Sequence, residues 1–288
     1  MSSGWERVRS MPFPELSEEQ LAAICERHGF PHGPFGRLPA TGVVNAIYTV
    51  GDGVVLRIPK DAPGTLADTF TESVAVPAAM RAGVRTPALL AFDESCEIVG
   101  VPHGAYEWVH APDGWPSTDE GWRELGRQLA TLHAGVVSCP DPRGRLDAPG
   151  RWCHADQMVE GLPDIDDADV RRRLALDFGA LESAVQDWAA NGTPSFLHDD
   201  IKDSNLLQGE GDDVTIIDWG DAGWGDAAID FRSIPPERTP LVIAGYREVT
   251  TTDDTFEERI RWDQLGAVAR RWVEPAFRRR LRTMLAGD

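Results

Sequence analysis

The first apolar stripe in the chain is helical. Leu21, Ile24 and Cys25 recur at helix spacing, Ser17 and Gln20 stand at capping-box spacing before them, and Gly29 follows as a stop. From Leu38 to Pro59 the period becomes strand-like: Val43, Val44, Ile47, Tyr48 and Val50 lead to Gly51-Asp52-Gly53, and Val54-Val55-Leu56-Arg57-Ile58 follows. Two apolar runs around a DG turn predict a β-hairpin. Thr65 to Arg81 is helical in pattern, with Pro77 expected to kink or split it. Two more strands are expected at Ala88–Phe92 and Ala105–Val109.

A turn-rich linker, His110-Ala111-Pro112-Asp113-Gly114-Trp115-Pro116, separates this part from a helical one. Ser117 and Glu120 are expected to open a helix carrying Trp122, Leu125, Leu129 and Leu132 on one face. Val170 to Ala190 reads as another helix, and one or two more run from Phe256 to Leu285. Between them, Phe196 to Ile217 is strand-rich. The composite is an α+β fold with a small β-rich part and a larger helical part.

Composition narrows the class. The 288 residues are 42% hydrophobic and 26% charged, as in an ordinary folded soluble protein. No apolar run approaches the roughly 18 residues of a membrane span, and residues 1–12 have no signal-peptide core. Cys25, Cys96, Cys139 and Cys153 are widely spaced, which suggests neither a disulfide framework nor a zinc ribbon and leaves a reduced, cytoplasmic protein as the expectation. The net charge of −19 argues against nucleic acid and anionic membrane as partners. It would suit a cationic small molecule, although acidity also serves solubility alone. Only Lys60 and Lys202 are lysine, so each is a candidate for a specific task.

The chemistry concentrates in residues 196–230, where nine aspartates and Glu210 face one lysine, Lys202. Such crowding of like charge is costly unless cations or hydrogen bonds offset it. Asp200 and Asn205 stand five apart in a polar loop between Phe196-Leu197 and Leu206-Leu207, and Asp218 ends the run Val214–Ile217. Carboxylate and amide oxygens are the ligands that Mg²⁺ prefers, alongside water and phosphate.

His198-x-Asp200-x-Lys202-x-x-Asn205 matches the catalytic loop of kinases, and Asp218-Trp219-Gly220 stands in the D-F-G position. With Gly225-Asp226-x-x-x-Asp230, the pattern resembles the aminoglycoside phosphotransferase family, a small-molecule branch of the protein-kinase-like fold. The resemblance extends to Gly42-x-x-Asn45-x-x-Tyr48 as a nucleotide-covering loop, Val54-Val55-Leu56-Arg57 as a third strand, and Leu129-x-x-Leu132-His133. It implies a bilobal fold, with a nucleotide-binding lobe over 1–106, a hinge over 107–111, and a catalytic and substrate-binding lobe over 112–288.

The same resemblance implies the roles. Asp200 would take the proton of an attacking hydroxyl, Lys202 would contact the γ-phosphate of ATP or GTP, and Asn205 and Asp218 would hold Mg²⁺. Gly42, Asn45, Arg57, Glu72, Glu107, Trp108 and Val109 would contact or support the nucleotide, with Arg57 in place of the usual lysine and Glu72 its acidic partner. His198, His133, Asp226 and Asp230 would brace the loop. Asp199 stands where that family commonly has Gly, and Asp221 is a candidate substrate contact. The substrate expected is a small hydroxylated molecule, an aminoglycoside or other antibiotic first, bound by a monomer or homodimer. A kinase of a metabolic alcohol or sugar and a catalytically dead binding protein of the same shape stand as alternatives.

Overall fold

The structure, a computed structural model, describes residues 4–39, 42–147 and 153–286. After α1 (Gly4–Ser10), α2 (Glu18–His28) begins with the reciprocal Ser17/Gln20 capping box and ends at Gly29, whose φ of 71° is left-handed. Five antiparallel strands follow, in the order β1 (Phe35–Arg37), β2 (Asn45–Val50), β3 (Val54–Pro59), β5 (His103–Glu107), β4 (Leu89–Asp93). The β2–β3 hairpin pairs Val50 with Val54 around the Gly51-Asp52-Gly53 turn, as its sequence predicts.

Strand alternation sorts this sheet into two faces. Ala46, Tyr48, Val50, Leu56 and Ile58 are buried with Leu21, Ile24 and Cys25 of α2. Ile47, Val55 and Arg57, of the opposite parity, line a cleft. Tyr48 therefore points away from the cleft, where its hydroxyl donates to the Pro14 carbonyl.

Across the sheet, α3 (Pro63–Ala82) is a single helix, and the split anticipated at Pro77 does not occur. Ala75, Val76, Ala78 and Ala79, on both sides of that proline, are buried in the main core, and this packing outweighs the one missing donor. The strand expected over 105–109 is β5, two residues earlier; at Trp108 the chain bonds the Gly53 carbonyl instead of continuing the β4–β5 ladder.

The remainder is mainly helical: α4 (Asp119–Gly135), α5 (Ala155–Glu160), α6 (Ala168–Asn191), α7 (Thr239–Val249), α8 (Phe256–Ala269) and α9 (Pro275–Ala286). The α4 cap is Thr118, whose hydroxyl accepts from the Gly121 N–H, and not the Ser117/Glu120 pair. Two short antiparallel pairs interrupt the helices, β6 (Ser195–Leu197) with β9 (Gly223–Gly225) and, between them in the chain, the hairpin of β7 (Leu206–Gln208) with β8 (Val214–Ile216). α1, β1, α5, β9 and α7 have no counterpart in the sequence reading; the first four are shorter than eight residues, too few for a period to register. The architecture is mixed α+β, and among the described residues no helix is long and apolar enough to cross a membrane.

Candidate active site

The loop after β6 is held from below by one buried carboxylate. Asp230 accepts from the backbone N–H of His198 at 2.9 Å, from that of Asp199 at 2.7 Å, and from His133 Nε2 at 2.9 Å. The other His133 nitrogen meets the Tyr246 hydroxyl at 3.0 Å, which ties α4 and α7 to the loop. His198 is fully buried; Nδ1 accepts the Asp200 N–H, so the ring proton is on Nε2, donated to the Ile217 carbonyl. The ring thus links the Asp200 loop to the strand end that carries Asp218. Asp226 caps the next turn at Ala228 N and accepts from Arg259 Nε at 2.8 Å. Asp230, His133 and His198 brace the loop, and Asp226 caps the turn that carries Asp230.

Asp199 has a φ of +60°, a conformation open to Gly and tolerated by Asp. Arg232 donates to both its carboxylate and its backbone carbonyl. Burial raises the Asp199 pKa to about 6 despite that pairing.

Asp200 is gripped on one carboxylate oxygen. Its Oδ2 accepts from Lys202 Nζ at 2.5 Å and from Asn205 Nδ2 at 2.9 Å. The same Asn205 amide also donates to the Asp200 carbonyl at 2.9 Å, which directs Asn205 Oδ1 away from the loop backbone. Asp218, with φ of +71°, stands at the end of β8. Burial pushes its carboxyl up, but the charge and hydrogen bond of Arg57 outweigh this and hold it down at about 2.

Arg57 bridges two acids, Asp218 and Glu72, the latter at 3.1 Å. The Glu72 side chain is 4% exposed and also accepts from the Tyr106 hydroxyl at 2.6 Å. Burial raises its pKa to about 7 against the pull of Arg57, while Glu72 and Asp218 raise that of Arg57 against burial. Arg57 is charged at any working pH.

These groups share one cleft of about 720 Å³ between the five-stranded sheet and the Asp200–Asp221 segment. All twelve residues expected to meet or support nucleotide, metal or substrate line it: Gly42, Asn45, Arg57, Glu72, Glu107, Trp108, Val109, Asp200, Lys202, Asn205, Asp218 and Asp221. Trp108 packs on His110 with ring centroids 4.0 Å apart, just past the end of β5.

Three further residues belong to the site. Tyr106 holds Glu72, Arg232 holds Asp199, and Asp68 lines the cleft. Burial and the neighbouring Asp221 raise the Asp68 pKa to about 7. Asp68 lies four residues before Glu72 on α3, so helix periodicity could have found it; Arg232 and Tyr106 carry no local signal. A Cβ at Gly220 would lie 2.8 Å from that of Asp68, so only glycine lets α3 pass this close.

The sequence of residues 36–276 matches the model of the phosphotransferase enzyme family. No curated protein sequence matches this chain. Among solved structures, the GDP complex of aminoglycoside 2'-phosphotransferase-IIIa is 17% identical, with 94% of this chain and 98% of that one covered and a TM-score of 0.63. Macrolide 2'-phosphotransferase MphH from Brachybacterium faecium is 19% identical over 94% and 99%, with a TM-score of 0.53. Spectinomycin phosphotransferase APH(9)-Ia, in complex with ADP and spectinomycin, is 14% identical over 93% of each chain, with a TM-score of 0.57. At these identities the structures establish a shared fold. The family match, over most of the chain, establishes more: this protein belongs to the phosphotransferase enzyme family.

Proposed function

We propose that the protein transfers the γ-phosphate of ATP or GTP, with Mg²⁺, to a hydroxyl of a small polar molecule, an aminoglycoside or other antibiotic being the leading substrate. The observation that carries this reading is the grip on Asp200. Lys202 and Asn205 occupy Oδ2, and Oδ1 is left to accept a hydrogen bond from a substrate hydroxyl. As the hydroxyl oxygen bonds to phosphorus and the bond to the β,γ-bridging oxygen breaks, its proton passes to Asp200. Lys202, on the same oxygen, supplies positive charge where the γ-phosphate arrives.

The donor set suits magnesium. Asn205 Oδ1 and the Asp218 carboxylate are hard oxygen ligands on adjoining segments, and Asp218 is ionised at neutral pH. Bound there, the ion would neutralise charge on the phosphate oxygens. Arg57, kept in place by Glu72, supplies a fixed positive charge for the α- and β-phosphates. Asn45 Oδ1 is buried without a hydrogen-bond partner in the same cleft, as a residue that meets a ligand would be. The backbone over 107–109 offers donors and acceptors for a nucleotide base, and 107–111 serves as hinge between a nucleotide lobe (1–106) and a substrate lobe (112–288).

The antibiotics named for the similar structures, kanamycin and spectinomycin among them, support a hydroxylated substrate, and the acidity of the chain favours a cationic one. A cytoplasmic enzyme with access to nucleotide fits this role. The test is a mass-spectrometric screen with Mg-ATP and Mg-GTP against aminoglycosides, macrolides, nucleoside antibiotics and common sugars. One phosphorylated product is expected, with its rate reduced at least about 100-fold in Asp200→Asn. A product formed equally by Asp200→Asn, or no magnesium-dependent nucleotide binding at all, overturns the reading.

A further inference from the structure

A second cluster of ligating side chains lies outside the cleft. Asp93 and His103 are direct register partners at the paired ends of β4 and β5, and His28 is the last residue of α2. One ligand atom from each, a carboxylate oxygen and two ring nitrogens, lies within 4.8 Å of the others. Register partners on adjacent strands hold their Cβ atoms about 4.5–5.5 Å apart, so the Asp93–His103 pairing is built into the sheet.

His103 is the informative member. It is 2% exposed, and its Nδ1 stands 3.2 Å from the Val101 carbonyl oxygen. That nitrogen therefore carries the proton, and Nε2 presents a lone pair. Nε2 is buried and has no hydrogen-bond partner. A buried ring nitrogen without a partner calls for an ion or a water. One nitrogen donating to a carbonyl while the other faces ligating groups is how metal-binding histidines are held.

Asp93 is oriented as well. Its Oδ1 accepts from Ser95 N at 2.8 Å, and its Oδ2 from Arg27 Nη1 at 3.0 Å. Arg27 also pairs with Glu97 at 2.6 Å, so two carboxylates outweigh the one guanidinium there. A carboxylate oxygen has a second acceptor direction after the first is used. His28 Nε2 lies 3.8 Å from the same Asp93 oxygen.

We propose that His28, Asp93 and His103 bind one divalent transition-metal cation, zinc by the chemistry of the donors, with water completing the coordination. Two imidazoles and one carboxylate suit zinc at about 2.0–2.2 Å from each ligand. They suit magnesium poorly, which separates this site from the cleft. The ion would fasten α2 to the β4–β5 edge. α2 precedes residue 36, where the family match begins, so the site joins a segment outside that match to the sheet inside it.

The experiment uses the full chain without a histidine tag, titrated with Co²⁺ and then with Zn²⁺. One equivalent of Co²⁺ giving the intense visible bands of a low-coordinate nitrogen–oxygen site, displaced by Zn²⁺, is expected. Zn²⁺ should raise Tm by several degrees, reversed by chelator. His28→Ala and Asp93→Asn should each weaken Co²⁺ binding by at least about 10–100-fold, the cost of losing even an outer partner of a metal ligand, whereas Asp218→Asn should leave the bands in place. Absence of saturable binding overturns the proposal, as does binding that His28→Ala leaves unchanged. The His28 side chain is only partly buried at a helix end, so that variant carries the test even where the Asp93 one fails to fold.

Discussion

At Asp199, backbone and side chain pull in different directions. A φ of +60° is costly for most residues, and burial of the carboxylate is costly for any. Arg232 offsets both, bonding the carboxylate and the carbonyl of the residue immediately before Asp200. A left-handed turn is where glycine would be free of strain, and Arg232 is what allows aspartate. Arg232→Ala should lower kcat by roughly tenfold with nucleotide KM nearly unchanged, and cost about 1.5–3 kcal/mol of stability, the range for hydrogen bonds to charged groups. Asp199→Gly keeps the backbone conformation and should retain most activity. Steady-state kinetics and denaturant unfolding of the two variants check this; equal losses in both would contradict it.

The packing of two helices sets the floor beneath that loop. α4 brings His133 and α7 brings Tyr246 to Asp230, which holds the His198 and Asp199 amides. The helices touch backbone to backbone. A Cβ on Gly126 would fall 2.0 Å from the Val242 carbonyl oxygen, and one on Gly245 1.9 Å from that of Arg123. Gly126→Ala or Gly245→Ala must force α4 and α7 apart, at about 1–3 kcal/mol or more each. Activity should fall with stability, because the His133–Asp230 bond moves with the helices. Chemical denaturation beside an activity assay reads both. At the other end of the chain, Lys60 is buried with its Nζ donating to the Val8 carbonyl at 3.0 Å and lying 4.1 Å over the Phe13 ring. One of the two lysines thus anchors α1, and the other sits in the cleft.

Across the whole molecule, acids displaced from their ordinary titration range impose a pH dependence. Burial raises Asp68 and Glu72 to about 7 and Asp199 to about 6. Unfolding returns each to the usual carboxylate range, so the unfolded chain loses its proton more readily than the native one. Their contribution to stability is complete below about pH 4 and is lost as pH rises through about 6–7. Asp93 and Asp218, held at about 2, act in the opposite sense: their contribution is present above about pH 4 and is lost as pH falls toward 2. Tm should therefore be highest on the acid side of neutrality and fall between about pH 5 and 8, and the net charge of −19 adds to that fall. Asp68→Asn should be more stable than the parent at pH 8 and little different near pH 4. Thermal unfolding across that range decides it, and a Tm rising toward pH 8 would refute the assignment.

Features written within a few residues were legible in the chain. The capping box at Ser17, the turn at Gly51-Asp52-Gly53 and the spacing of Asp200, Lys202 and Asn205 are local, set by helix geometry, strand alternation and the length of one loop. Pairings between distant segments were legible only where a known pattern bridged them. The Arg57–Asp218 contact spans 161 positions and was not foreseen, although each residue was singled out alone. Arg232 on Asp199, Tyr106 on Glu72 and the solitary nitrogen of His103 depend on which helix or strand packs where. Packing is decided by the summed burial of many side chains, and no short window of sequence holds that sum. The residue types and spacings for phosphoryl transfer are therefore local information, while the charges that tune them are a property of the folded chain.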